Sequence, residues 1–359
     1  MHITNWAKLA ACITQRHRLC ADMTRQIDTM YPTTKQTLIT TDLTIGYAPA
    51  RKPVMCIAVG LNLALRAGEL TCLIGRNGVG KSTLMRTLSG VQKPLSGAVL
   101  LGDTPIHQLS VGDLAKRIAI VLTDPIAPSQ MTGYELVALG RHPYTDWRGR
   151  LSDHDTEIIQ WAIRAVDATH LAQMPITEMS DGSRQRLLIA RALAQDTDLI
   201  LLDEPTAFLD VTSRAEMMSL LRHLAKSANR AILLSTHDLD LALRVGDVLW
   251  VMDAGAVHIG APEDLALSGI FEAVFNSGRM RFNPSAMRFE LLGESRPIHV
   301  IGDGLLYALT CHALVRAGYQ IHPAGQPVTI IQQDDAPHWQ VDGAIYHSLY
   351  DLVKHLGYL

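Results

Sequence analysis

Eight consecutive residues restrict what this chain can fold into more than any other stretch: Gly75-Arg76-Asn77-Gly78-Val79-Gly80-Lys81-Ser82. They follow the apolar run 70–74 and precede the helical pattern 83–89, which places G-x-x-x-x-G-K-S between a strand and a helix. Glycine permits the backbone shapes that turn successive N–H groups inward around a polyphosphate, and the helix that follows brings the positive end of its dipole to the same point. The expected nucleotide site is lined by Gly75, Arg76, Asn77, Gly78, Val79, Gly80, Lys81, Ser82 and Thr83. Lys81 would reach the β- and γ-phosphates of ATP, and the Ser82 hydroxyl would complete the shell of Mg2+.

Such a site needs a carboxylate facing it from a neighbouring strand, and Leu199-Ile200-Leu201-Leu202-Asp203-Glu204 supplies one. Taken alone, a strand ending in Asp-Glu is an ordinary solvated strand end. Paired with the phosphate loop, Asp203 becomes the second Mg2+ residue. Glu204 becomes the group that polarises water towards the γ-phosphate, a task in which a positioned base contributes about 10²–10⁴-fold. Around these motifs the chain alternates short β-type runs (70–74, 118–122, 199–202, 231–235, 248–252) with helical segments, an order that predicts an α/β domain with a largely parallel sheet. Within 213–227 the residues Met217, Met218, Leu220, Leu221, Leu224 and Ala225 recur at helical spacing, and the methionines read as core packing.

Composition narrows the partners. The net charge of −3 argues against a protein held to nucleic acid by a broad basic face, and aromatics at 5% offer little for base stacking. No stretch approaches the 18 or more apolar residues that span a bilayer. The five cysteines show no C-x-x-C spacing and fit a reducing compartment without a disulfide framework or zinc site. Leu9-Ala10-Ala11-Cys12 has the look of a lipoprotein cleavage box, but Lys8 precedes it and no apolar region lies upstream.

A phosphate loop alone leaves kinases, GTPases and motor ATPases open. With the intervening residues added, the sequence resembles the ATP-binding cassette (ABC) ATPases across about 38–260. Met179-Ser180-Asp181-Gly182-Ser183-Arg184-Gln185-Arg186 stands at the family signature, Phe208-Leu209-Asp210 at the D-loop, His237 at the switch histidine, and Tyr47 at the adenine-stacking aromatic. The resemblance implies an α/β P-loop NTPase fold of the ABC type: a mainly parallel sheet, an antiparallel β subdomain and a helical signature subdomain. It also implies that Ser180, Asp181, Gly182 and Ser183 meet ATP held by a second copy of the chain, and that His237 orients Glu204, the attacking water and the γ-phosphate. The expected divisions are an extension of low order (1–36), the ATPase domain (37–260), a helical extension and linker (261–295) and a small C-terminal α/β unit (296–359). In that last unit 298–301 and 328–332 read as strands, and 305–317 and 344–356 as helices. Gly302-Asp303-Gly304 suggests a dinucleotide loop, but Tyr307 replaces its third glycine and His322 its acid.

Met131-Thr132-Gly133-Tyr134-Glu135-Leu136 through Gly140-Arg141-His142-Pro143-Tyr144 resembles the segment that iron-siderophore, haem and cobalamin importer ATPases carry beside the membrane subunit. Without that resemblance, Gly140-Arg141-His142-Pro143 reads as a solvated loop. The implied machine is an importer of an iron chelate (siderophore or haem) or cobalamin, whose polytopic permease and substrate-binding protein are separate chains, with a homodimer of this one at the cytoplasmic face of the plasma membrane. A soluble non-transport cassette ATPase and a regulatory nucleotide-binding module are the alternatives. Asp181 and Ser183 depart from the family signature, which has Gly and Gln there. At the Q-loop, Thr123 stands where the family has Gln, too short for direct contact and expected to act on Mg2+ or the γ-phosphate through water. Replacing Thr123→Gln should therefore alter ATPase rate or transport coupling. Unchanged values of both would show that this side chain hardly matters.

Overall fold

The computed structural model describes residues 36–48, 53–121, 130–207, 209–276, 280–291, 296–333 and 336–357. Thr123, Phe208 and residues 1–35, with the Cys12 motif, lie outside the described residues. The chain divides into two compact units, Met1–Ile270 and Phe271–Leu359.

The first unit opens with β1 (Gln36–Tyr47), β2 (Met55–Leu61), β3 (Ala64–Arg66) and β4 (Leu70–Gly75), and α1 (Lys81–Leu88) follows the phosphate loop. Next come β5 (Ser96–Leu101), β6 (Thr104–Pro105), α2 (Val111–Ala115) and β7 (Ile118–Val121). A run of helices, α3 (Gly133–Ala138), α4 (Asp153–Ala165) and α5 (Asp181–Ala194), leads to β8 (Leu199–Asp203). The unit finishes with α6 (Val211–Ser227), β9 (Ala231–Ser235), α7 (Leu239–Val245), β10 (Val248–Asp253), β11 (Ala256–Gly260) and α8 (Pro262–Leu267).

Two sheets result. β2-β1-β5-β6 is antiparallel, with β3 paired to β1, and the second sheet runs β11-β10-β4-β9-β8-β7. In that second sheet β10, β4, β9, β8 and β7 are parallel and only β11 is antiparallel. Every residue of β4 and β9 is buried, as expected of strands covered on both faces, whose sequences read as unbroken apolar runs. One core joins both sheets through Leu38, Ile45 and Val99 on one side and Leu73, Leu233 and Trp250 on the other, with Leu84 of α1 packed into it. α3, α4, α5 and α6 each begin at a side-chain cap, namely Thr132, Ser152, Ser180 and Asp210. Thr132 with Glu135 and Ser152 with Asp155 form full capping boxes.

The segment Leu139–Tyr144, a 3-10 turn after α3, is not the solvated loop that its polar composition suggests. A Cβ on Gly140 would collide with the Arg191 carbonyl oxygen, so only glycine lets this turn lie against α5. The Arg141 side chain is 4% exposed, and its Nε donates to Asp155 Oδ1 at 2.8 Å. Its Nη1 donates to the Ala194 carbonyl at 2.9 Å. The guanidinium also stacks 3.9 Å from the Tyr144 ring, whose hydroxyl donates to Gln195 O at 3.0 Å. One cation thus ties three helices together.

The second unit starts at α9 (Ile270–Phe275) and continues into a hairpin of β12 (Met280–Asn283) and β13 (Arg288–Leu291), which the linker reading of 261–295 did not anticipate. Phe271, Phe282 and Phe289 pack ring against ring here, with centroids 4.7 to 6.3 Å apart. After it come β14 (Arg296–Ile301), α10 (Gly304–Arg316), β15 (Tyr319–Ile321), β16 (Gln326–Gln333), β17 (Ala336–Val341), β18 (Ala344–Tyr346) and α11 (Leu349–His355). They build a sheet of order β15-β14-β16-β17-β18 whose core includes Ile298, Leu314, Val328, Trp339 and Leu352. The expected helix over 344–356 is shorter. Asp342 and Gly343, both at positive φ, turn the chain back so that 344–346 pairs with β17, and Ser348 then caps the helix. β15 and β17 were not expected from the sequence.

The Arg141–Asp155 pair sets two measurable properties. Removing one partner leaves an uncompensated buried charge, so Arg141→Met should cost about 3–5 kcal/mol in urea unfolding. Burial pushes the Asp155 carboxyl up, but the Ser152 hydroxyl and N–H and then Arg141 outweigh it and hold it at about 2. Because the folded value is depressed, this stabilisation is complete above the ordinary carboxylate range and is lost as pH falls towards 2. In Arg141→Met the Ser152 hydrogen bonds to Asp155 remain, so the acid-unfolding component should shrink and move to higher pH rather than vanish.

Candidate functional site

β4 delivers the chain to the loop, and the loop's shape rests on glycine. Gly75, Gly78 and Gly80 have φ of 157°, 76° and 117°, of which the last two lie in the left-handed region that side chains disfavour. A Cβ on Gly80 would also collide with Ile57 Cγ2. Gly80 caps α1 without a side chain, so the first N–H groups of the helix, at Lys81, Ser82 and Thr83, keep their donors for something other than the protein. Arg76, Asn77 and Gly78 are exposed, and Lys81 is buried. Its Nζ donates to Gly75 O at 2.8 Å and to Arg76 O at 3.3 Å, bracing the loop from inside. Burial lowers the Lys81 pKa from its ordinary value, partly offset by the nearby Glu204 and Asp203 carboxylates.

Those carboxylates end β8, beside β9. The Ser235 hydroxyl at the end of β9 donates to Asp203 Oδ1 and accepts from the Glu204 N–H at 3.0 Å. The same N–H reaches the Ser235 carbonyl at 3.2 Å. Glu204 itself takes φ of 48°, a left-handed conformation uncommon for a residue with a side chain. Such strain persists only where its surroundings enforce it, and the double hold by Ser235 does so. Glu204 Oε2 lies 3.5 Å from His237 Nδ1, both partly open to solvent. The sequence did not single out Ser235; its only signal is a small polar residue closing an apolar strand.

Tyr47 ends β1, is 42% exposed, and shares a 2.8 Å hydrogen bond between its hydroxyl and Thr83 Oγ1. The ring is thereby pinned to the first turn of α1 with much of its surface free. Ser180 and Asp210 belong to a second grouping. Ser180 caps α5, accepting from Ser183 N at 3.2 Å and donating to Ser183 Oγ at 3.0 Å, while Asp181 pairs with Arg184 at 2.6 Å. Gly182 has Leu209 Cδ2 and Ser213 Oγ near its open side, at 3.7 and 3.9 Å from where a Cβ would be. Asp210 caps α6 by accepting from Ser213 N at 3.0 Å and Ser213 Oγ at 2.7 Å. These bonds, led by the one from the Ser213 N–H, lower the Asp210 pKa.

A buried parallel strand, a glycine loop braced by a lysine, and a carboxylate-bearing strand across from it define a phosphate-loop nucleotide-binding protein. The ABC transporter family profile matches residues 59–207, and a second profile, the iron ABC transporter C-terminal domain, matches 295–357. An uncharacterized ABC transporter ATP-binding protein of Methanocaldococcus jannaschii is 40% identical over 288 residues, covering 79% of this chain and 98% of its own. The iron(3+)-hydroxamate import ATP-binding protein of Bacillus subtilis is 42% identical over 220 residues, 61% of this chain and 80% of that one. Among solved structures, a dimeric bacterial ABC transporter cassette aligns with TM-score 0.54 and 25% identity over 62% of this chain and 98% of that chain. This chain belongs to the ATP-binding proteins of the ABC transporter family, and is an ATPase that binds ATP. Cassettes of this family form dimers and work with membrane permease components. No described helix is long and apolar enough to cross a membrane.

The steric limits at Gly80 give a direct check. Gly80→Ala adds both a forbidden φ and a clash, so ATP affinity measured by calorimetry should fall at least tenfold, whereas Gly78→Ala, with open space around its Cβ position, should lose less.

Proposed function

We propose that this chain is the ATP-hydrolysing subunit of an importer for an iron chelate, a siderophore or haem, working through a separate permease. The observation that carries the hydrolytic half is Glu204 held in its left-handed turn by Ser235, with its carboxylate 3.5 Å from His237. The carboxylate accepts a proton from the water that attacks the γ-phosphate. His237, with Nδ1 3.5 Å from Glu204 Oε2, orients the carboxylate for that transfer. Lys81 and the uncapped N–H groups of α1 hold the phosphates, and the Tyr47 ring gives adenine a flat face. The Ser82 hydroxyl and the Asp203 carboxylate are hard oxygen donors of the kind Mg2+ takes, and Ser235 already orients one Asp203 oxygen. Mg2+ bound there would neutralise charge on the β- and γ-phosphates.

The signature residues Ser180, Asp181, Gly182 and Ser183 and the D-loop Asp210 serve the second copy of the chain in this reading. The helix start at Ser180 offers N–H groups and a hydroxyl to a γ-phosphate across the dimer. Iron cargo is favoured because residues 295–357 match an iron ABC transporter C-terminal domain and because the Bacillus subtilis relative is named for iron(3+)-hydroxamate import. The substrate-binding protein that such importers need is a further partner, and the site of work is the cytoplasmic face of the plasma membrane. The divisions at 37–260 and 296–359 fit a cassette followed by an accessory unit.

Glu204→Gln keeps the shape of the side chain and removes its basicity. Hydrolysis should fall by about 10²–10⁴-fold, while ATP should hold the variant as a dimer in light scattering. Turnover near that of the unaltered chain would mean that another group takes the proton.

A further inference from the structure

In the C-terminal unit two histidines face each other at the end of the sheet. His338 lies in β17 and His347 follows β18. Trp339 pairs with Tyr346 in the antiparallel register, which makes 338 and 347 the next opposed positions on the same face. Their Nδ1 atoms are 3.0 Å apart, with ring centroids at 4.5 Å and planes at 85°. We propose that His338 and His347 form a binding site for a divalent first-row transition metal ion, ligated through both Nδ1 atoms.

Three features support this. The spacing suits it: metal–imidazole bonds of about 2.0–2.1 Å place two ligands at a right angle about 3.0 Å apart, whereas tetrahedral ligands would be about 3.4 Å apart. The site is also fixed in advance. The Asp342-Gly343 turn is held by Gln326 Nε2 donating to Asp342 Oδ2 at 2.6 Å. Beside His338, the buried Trp339 Nε1 donates to Thr310 Oγ1 at 2.7 Å, and beside His347, Ser348 caps α11 by accepting from Asp351 N at 3.1 Å. Rigid supports of this kind keep ligands at productive geometry. Lastly, the pair is reachable, because His347 is exposed and His338 half-buried.

A hydrogen bond between the two Nδ1 atoms needs a proton on one of them. For both lone pairs to face a cation, a proton on Nδ1 has to shift to Nε2 of the same ring. Among the described residues no group of three or more metal-ligating side chains is gathered, and the two imidazoles are the ligands that the proposal assigns. The proposal stands apart from the transport reading and does not depend on it.

The test is Cu2+ titration of the full-length chain without nucleotide, followed by electron paramagnetic resonance. The expected result is a site with two equatorial imidazole nitrogens. Cu2+ affinity at that site should weaken at least tenfold in both His338→Ala and His347→Ala and stay unchanged in His322→Ala, with ATPase rate and circular dichroism preserved in all three. A copper spectrum and affinity unaltered by either substitution, or altered by only one of them, would overturn the proposal and leave the pair as a hydrogen bond that steadies the hairpin.

Discussion

The cassette unit is organised around a single buried ammonium group. Lys81 cannot remain charged inside the protein without oxygen partners, and the loop supplies them as the carbonyls of Gly75 and Arg76. Turning those two carbonyls inward forces the neighbouring N–H groups outward, towards the place where phosphate oxygens would sit. The strained glycines, the uncapped start of α1 and the approach of Ile57 to Gly80 all follow from that exchange. Strand burial serves the same end. β4 is covered on both faces, so its terminus is fixed before any ligand arrives.

A parallel sheet brings the second half of the chemistry to the same edge. β8 and β9 are adjacent and in register, so Asp203 and Ser235 are directly paired, and the serine can hold both the Asp203 carboxylate and the Glu204 N–H. The cluster at the start of α5 and α6 is separate in kind. Its hydroxyls and carboxylates bond to one another, Ser180 with Ser183 and Asp210 with Ser213. These are caps that any helix start could use. They lie next to the open side of Gly182, where Leu209 Cδ2 and Ser213 Oγ stand 3.7 and 3.9 Å from a Cβ position.

Much of the site was legible in the sequence because its chemistry is local. The phosphate loop, the Asp203-Glu204 strand end and the Ser180 helix start are each set by a few adjacent residues. Ser235 was not singled out, since its value comes from which strand lies beside β8, and that adjacency is not written in any short window. Arg141, which without the family resemblance reads as part of a solvated loop, shows the opposite case. A polar run reads as solvated unless its partners, 14 residues away along the chain for Asp155 and 53 for Ala194, are known. In the C-terminal unit the apolar pattern over 344–356 concealed a turn at Asp342-Gly343, so a strand was absorbed into a helix. The hairpin of β12 and β13 left no comparable pattern within a segment read as linker.

The tie between Arg141 and the end of α5 has a mechanical meaning. α5 has 14 residues and is about 21 Å long, with Ser180 at one end and the Ala194 carbonyl, gripped by Arg141, at the other. Asp155 locks α4 to the same guanidinium, so α4 cannot slide without breaking a buried ion pair, nor α5 without breaking the bond to the Ala194 carbonyl. A displacement applied near residues 139–144 therefore arrives at Ser180 with little slack, as through a stiff lever rather than a spring.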